Sequence, residues 1–305
     1  QMCIRDRGIF VLTGIAAATK AGPAISLSYV LAGLAALFTA FAYAELAASV
    51  GGCGSAYNYS YASFGELIAW VIGWALILEY AIAVSTVAIG WSGYVNNALQ
   101  AMHIHLPQNL VSDHADGGFV NLPAMLLVFL VCGLLCVGVK QSARLNAVIV
   151  FVKLIAIAIF IAVASQNVHP QNWHPFLPFH FGGIAQGAAL VFFAYIGFDA
   201  VSTAAEECIN PQRDLPIGII ASVVICTILY IVVSSLLTGI TPYSTLNVSS
   251  PVADALLRIG YPIASGLIAL GAIAGLTTVV LVMYFALTRI IYAMSCDGLL
   301  PKIAS

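Results

Sequence analysis

Three ionisable side chains, Glu79, Lys153 and Asp199, sit in runs that are otherwise apolar. Lys153 lies seven residues past Asn146 in NAVIVFVKLIAIAIFIAVA (146–164). On a helix that places it ~10 Å along the segment, within a hydrocarbon core ~30 Å thick. Burying an ammonium there costs on the order of 3 kcal/mol on insertion scales, so a neighbouring group must offset it. Glu79 falls ~20 Å from Glu66 on a straight helix, and Asp199 ~10 Å from Glu206. Charges at such depth face the interior of a bundle, pair with one another and mark proton or substrate paths. Lys153 is therefore a candidate proton carrier, with Asp199 and Glu79 as its candidate partners. The competing reading of Lys153 is a structural lysine whose long stem reaches the cytoplasmic interface. For Asp199 it is a cap that holds a helix end.

The elements that position these groups are set by composition. Hydrophobic residues make up 62% of the 305 and charged residues 7%, against ~25% charged in ordinary soluble domains. Mean hydropathy is +1.03. This describes an all-α polytopic membrane protein, embedded in a lipid bilayer, and a net charge of −2 points to no nucleic-acid partner. The seven cysteines form no CxxC pair, and the six histidines match no ligand spacing, so no metal site is expected.

Apolar runs of ~18–25 residues predict seven full spans, near 25–48, 65–97, 121–139, 146–165, 184–205, 217–240 and 262–296. Residues 8–22 form a shorter segment, ~22 Å as a helix, which reads as a span cut in half. The polar leader QMCIRDR (1–7) reads as non-native sequence, and the chain as a fragment. With the loop at 140–145 cytoplasmic, Lys140, Arg144, Arg213, Arg289 and Lys302 fall inside, whereas Lys20 and Arg258 fall outside. All six histidines then lie in two external loops. The stretch GGCGSAY (51–57) reads as a small-residue turn at the inner end of the second span.

Two pairs of spans match in kind five positions apart. The third and eighth are both over 30 residues long. The first and sixth both carry glycines where helix should be continuous, in GIFVLTG (8–14) and FFAYIGFDAVST (192–203). The first would begin inside and the sixth outside, so the halves are inverted (8–165 and 184–296). Paired interruptions of this sort point to a substrate site near the bilayer midplane.

GIFVLTG (8–14), YAELAASVGGCGSAYNYSYASFGE (43–66), the Lys153 span, FFAYIGFDAVSTAAEECINPQRDLPIGI (192–219) and TRIIYAMSCDGLLP (288–301) together resemble the amino acid–polyamine–organocation permeases. Within these the chain is most similar to bacterial relatives of the cationic amino acid transporters. The resemblance runs over residues 8–305 and implies a LeuT-type fold with a five-plus-five inverted repeat. Of twelve or more spans about eight are present. One departure stands at the start, where Arg5-Asp6-Arg7 replace a glycine-rich run.

A zwitterionic amino acid brings a carboxylate and an ammonium into low dielectric, and both need partners. Backbone N–H groups at a broken helix end suit the carboxylate, and unwound carbonyls suit the ammonium. Here the N–H groups belong to Gly8, Ile9 and Phe10, and the carbonyls to Phe193, Ala194 and Ile196. Gly197 permits the backbone of the break. Phe193 and Phe198 are candidate gates over the pocket. The resemblance also implies that Lys153 stands against the first break, where sodium sits in sodium-coupled relatives. Protons are then the expected coupling ion, with no cofactor. The expected activity is proton-coupled amino acid symport across the plasma membrane by alternating access. Exchange of amino acids, or sensing without transport, are the alternatives. An intramembrane enzyme is not expected: no second membrane aspartate follows Asp199, no histidine lies in a span, and no HExxH stands anywhere.

Overall fold

The structure, a computed structural model, describes residues 8–50, 55–101, 103, 104, 106–111, 118–136, 143–197 and 210–301. Every regular element among them is helical. The first segment, α1 (8–21), winds from a π turn Gly8–Leu12 through one α turn Thr13–Ala16 to a second π turn Ala17–Ala21. There follow α2 (Ile25–Ser49), α3 (Ala56–Phe64), α4 (Glu66–Ala101), α5 (Leu122–Cys136) and α6 (Ala143–Gln166). The second half holds α7 (His180–Phe192), α8 (Pro211–Ile240), α9 (Pro251–Arg258) and α10 (Pro262–Cys296).

Residues Gly8–Ser49 are helical and apolar almost throughout, yet they are not one rod. Gly22 takes a left-handed φ of 61° and Pro23 follows, which ends α1 and starts α2 afresh. The proof is a distance. The Tyr29 hydroxyl lies 3.0 Å from the Gly8 carbonyl oxygen. In a continuous helix those residues would stand ~30 Å apart.

Helix packing follows side-chain size. The buried residues of α2 include Ala32, Gly33, Ala36, Ala40 and Ala44, small side chains on a helix packed by both α7 and α8, and Ser28 donates to the Ile184 carbonyl of α7 at 2.9 Å. Close backbone approach of this sort is how helices associate in lipid, where burying leucine gains nothing. A Cβ on Gly33 would stand 2.6 Å from Thr227 of α8. The second long pairing sets α4 against α10, with Gly73 seated on Met294, where a Cβ would lie 2.5 Å from the sulfur. The outer surface carries the bulky residues instead. Phe38 and Leu67 are 73% and 74% exposed. Alanine inside and phenylalanine outside inverts the soluble pattern and suits a hydrocarbon solvent. Helices α4, α8 and α10, at 36, 30 and 35 residues, exceed the ~20 needed to cross.

Two helices lie where the sequence reading named none. Of the stretch 51–57, expected to turn, residues 51–54 lie outside the described residues, and helix α3 begins at Ala56, bracketed by Ser55 (φ 52°) and Gly65 (φ 81°). The loop after α8 also contains a helix, α9. Its Pro251, Val252, Ala253, Ala255 and Leu256 are buried against the bundle, and Arg258 pairs with Asp254 at 2.6 Å on the exposed side.

Candidate functional site

The sixth segment is broken. Helix α7 ends at Phe192 and tightens into a 3-10 turn over Phe193–Tyr195, where the Ile196 N–H donates to the Phe193 carbonyl at 3.3 Å. Ile196 then turns extended (φ −53°, ψ 137°), and Gly197 takes φ 100°, which a side chain would resist. Gly197 is the last described residue before 210, so Phe198 and Asp199 lie outside the described residues.

Opposite this break stands the start of α1. A Cβ added at Gly8 would lie 2.4 Å from the Cβ of Ala194 and 3.0 Å from the Tyr230 hydroxyl. The two glycine-bearing segments singled out from the sequence thus meet, Gly8 against the Ala194 methyl, with room at Gly8 for nothing larger than hydrogen. The interruption expected within GIFVLTG (8–14) is not seen, because those residues run through a π turn directly into an α turn. Gly8, Ile9, Phe10, Ala194 and Gly197 are buried, and Phe193 and Ile196 half-buried.

The backbone oxygens here are held by phenols. Tyr94 of α4 donates to the Phe10 carbonyl at 2.7 Å, with its ring edge-on to Phe10. Tyr230 of α8 donates to the Ala194 carbonyl at 3.1 Å. The hydroxyls of Tyr29 and Thr13 lie 3.0 and 2.7 Å from the Gly8 carbonyl and 2.7 Å from each other. Tyr195, inside the break, donates to the Tyr29 carbonyl at 3.2 Å. All four tyrosines are fully buried. An interrupted helix leaves carbonyls without intrahelical donors, and in a dry interior each must find another. The sequence reading missed these tyrosines. The available signal was a phenol in mid-span, since a buried hydroxyl needs a polar partner.

The ionisable groups are placed less tightly together. Lys153 is 4% exposed, so its side chain lies within the bundle and not toward lipid. It shares the buried face of α6 with Ala156, Ile157, Phe160 and Ala164. That face meets α10, where a Cβ on Gly271 would stand 2.8 Å from Ala156. Glu79 is half-buried on α4, beside the fully buried Tyr80. Both Lys153 and Glu79 are engaged by neighbouring groups. Among the described residues no three His, Cys, Asp or Glu side chains gather as a metal site would require.

At one end of the bundle α9 closes over α1: a Cβ on Gly14 would meet Pro251 at 2.4 Å and the Leu246 carbonyl at 2.6 Å. The Asn97 amide of α4 donates to the Ser250 hydroxyl, tying the same loop to the bundle. At the opposite end Tyr57 of α3 donates to Asp297 at 2.7 Å, just past α10. Burial first, and this carboxylate second, push the Tyr57 phenol above its ordinary range, so it stays a donor at neutral pH.

An apolar helical bundle with a broken segment at mid-span, packed on a second glycine-started segment, defines a multi-pass membrane protein of the transporter class. A profile of the amino acid permease family matches residues 7–305, and the chain belongs to that family. It is 49% identical over 301 residues to the methylthioribose transporter of Bacillus subtilis, covering 98% of this chain and 65% of that protein. It is 50% identical over 299 residues to the branched-chain amino acid permease BcaP of the same species, covering 96% and 64%. Human cationic amino acid transporter 4 is 38% identical over 303 residues, covering 96% and 47%. The chain therefore spans just under two thirds of the length of its bacterial relatives. The family is one of permeases, not enzymes.

Proposed function

We propose that the protein is a secondary active amino acid transporter of the plasma membrane, working as a proton-coupled symporter by alternating access. One observation supports this above the others: Gly8, at the described start of α1, packs against the Ala194 methyl within the break that follows α7. In this reading the carboxylate of the substrate binds the N–H groups of Gly8, Ile9 and Phe10, where aligned peptide dipoles favour negative charge. The ammonium binds the carbonyls of Phe193, Ala194 and Ile196. Gly197 gives the break its shape, and Phe193 and Phe198 gate it. Lys153 carries the coupling proton, with Asp199 and Glu79 as its charged neighbours. The stretch GAIAGLTTVV (271–280) of α10 is small and apolar with no carboxylate, which favours neutral side chains over cationic ones.

Uptake of each of the twenty amino acids by the full-length protein in proteoliposomes tests the reading. Net uptake driven by an imposed pH gradient, and its loss of pH dependence in Lys153→Ala, are the expected results. Exchange at zero gradient without net uptake indicates an antiporter, and binding without uptake indicates a sensor. The similarity to a methylthioribose transporter supports a second reading, a thiosugar substrate. That substrate carries neither carboxylate nor ammonium, so its uptake with no amino acid uptake contradicts the assignment of the two segments.

A further inference from the structure

We infer that Tyr29 and Tyr230 are positioning residues that fix the directions in which the start of α1 and the break after α7 present their polar groups to substrate. This rests on the amino acid reading above. Carbonyl and following N–H share one rigid peptide plane and point in opposite directions. A hydroxyl that holds the Gly8 carbonyl therefore aims the Ile9 N–H, and one that holds the Ala194 carbonyl aims the Tyr195 N–H. Tyr29 does the first at 3.0 Å and Tyr230 the second at 3.1 Å. Tyr230 also occupies one of the two lone pairs of the Ala194 oxygen, which leaves a defined direction for an ammonium.

The two phenols act as a pair. Their rings lie 5.1 Å apart between centroids, tilted by 40°, and Tyr195 lies edge-on to Tyr230 at 5.3 Å while donating to the Tyr29 carbonyl. A closed circuit results: Tyr29 holds α1, Tyr195 of the break holds Tyr29, and Tyr230 holds the break. At Gly8 the hydroxyls of Thr13 and Tyr29 make three mutual contacts with only two protons. Losing the phenol therefore still leaves Thr13 on the carbonyl, with its direction relaxed. Tyr230 reaches both segments at once, being bonded to Ala194 and pressed against Gly8. The neighbourhood is fully buried, so the lattice is not built on solvent.

The test is uptake kinetics of Tyr230→Phe and Tyr29→Phe in the full-length protein, with Tyr57→Phe near the end of α10 as control. Each of the first two is expected to raise KM about tenfold, equivalent to ~1.4 kcal/mol, with maximal rate per folded molecule within about twofold of wild type. Tyr57→Phe is expected to leave KM unchanged. A merely structural role shows instead as lost thermal stability at unchanged KM, and that result overturns the inference. So does a KM rise in Tyr57→Phe equal to the other two. Should Tyr230→Phe not reach the membrane, a wild-type KM in Tyr29→Phe suffices to reject the proposal. Wild-type protein that takes up no amino acid overturns the functional reading itself, and the inference with it.

Discussion

The seam between α2 and α8 and the junction between α1 and the α7 break lie side by side, yet they are held by different forces. At the seam, Gly33 seated on Thr227 and the buried alanines of α2 let two backbones approach, and contact is spread along the helices. At the junction, three phenols donate to the backbone carbonyls of Gly8, Phe10 and Ala194, and a fourth, Tyr195, ties the break to the Tyr29 carbonyl of α2. Dispersion is cumulative and tolerates a missing methyl. A buried carbonyl that loses its donor does not relax so easily, because no water replaces the partner. The seam is therefore scaffold, and the junction is where sequence changes alter what is bound.

That contrast can be broken experimentally, and the largest effect is expected at Gly8. Gly8→Val places a branched carbon where even a Cβ stands 2.4 Å from Ala194. Uptake is expected to fall by about 100-fold, near the ~3 kcal/mol upper range for overpacking, measured in proteoliposomes at matched protein density. A far smaller effect is expected at Ala36, fully buried on the seam. Ala36→Gly removes a methyl and adds backbone freedom, costing ~1 kcal/mol. Its melting temperature in detergent should drop by a few degrees with KM unchanged. Equal shifts in KM for Gly8→Val and Ala36→Gly, in protein that still transports, erase the distinction.

The sequence was informative where lipid imposes a rule. The second span was expected over 25–48 and the eighth over 262–296, and the helices run Ile25–Ser49 and Pro262–Cys296. Hydrocarbon thickness and the turn residues Gly22-Pro23 and Tyr261-Pro262 leave little choice. The break at 193–197 was legible because Gly197 stands in a run that should be continuous helix. Helix α9 was not, since eight amphipathic residues in a polar loop leave no apolar run to read. The tyrosine partners escaped for a different reason. Tyr29, Tyr94 and Tyr230 reach carbonyls 21, 84 and 36 residues away, so a phenol within a span signals a polar partner without naming it. Lys153 was read as facing inward, and its burial agrees. Its relation to Asp199 lies outside the described residues.

The central claim is that substrate binds beside the contact of Gly8 with Ala194, at the start of α1 and the break after α7. The most direct measurement is thiol alkylation of Ala194→Cys in the full-length protein, with native cysteines replaced by alanine, followed over time at rising concentrations of a transported amino acid. Substrate at the junction is expected to slow modification with a midpoint equal to its uptake KM. A modification rate unchanged at saturating substrate, in protein that still transports it, contradicts the claim.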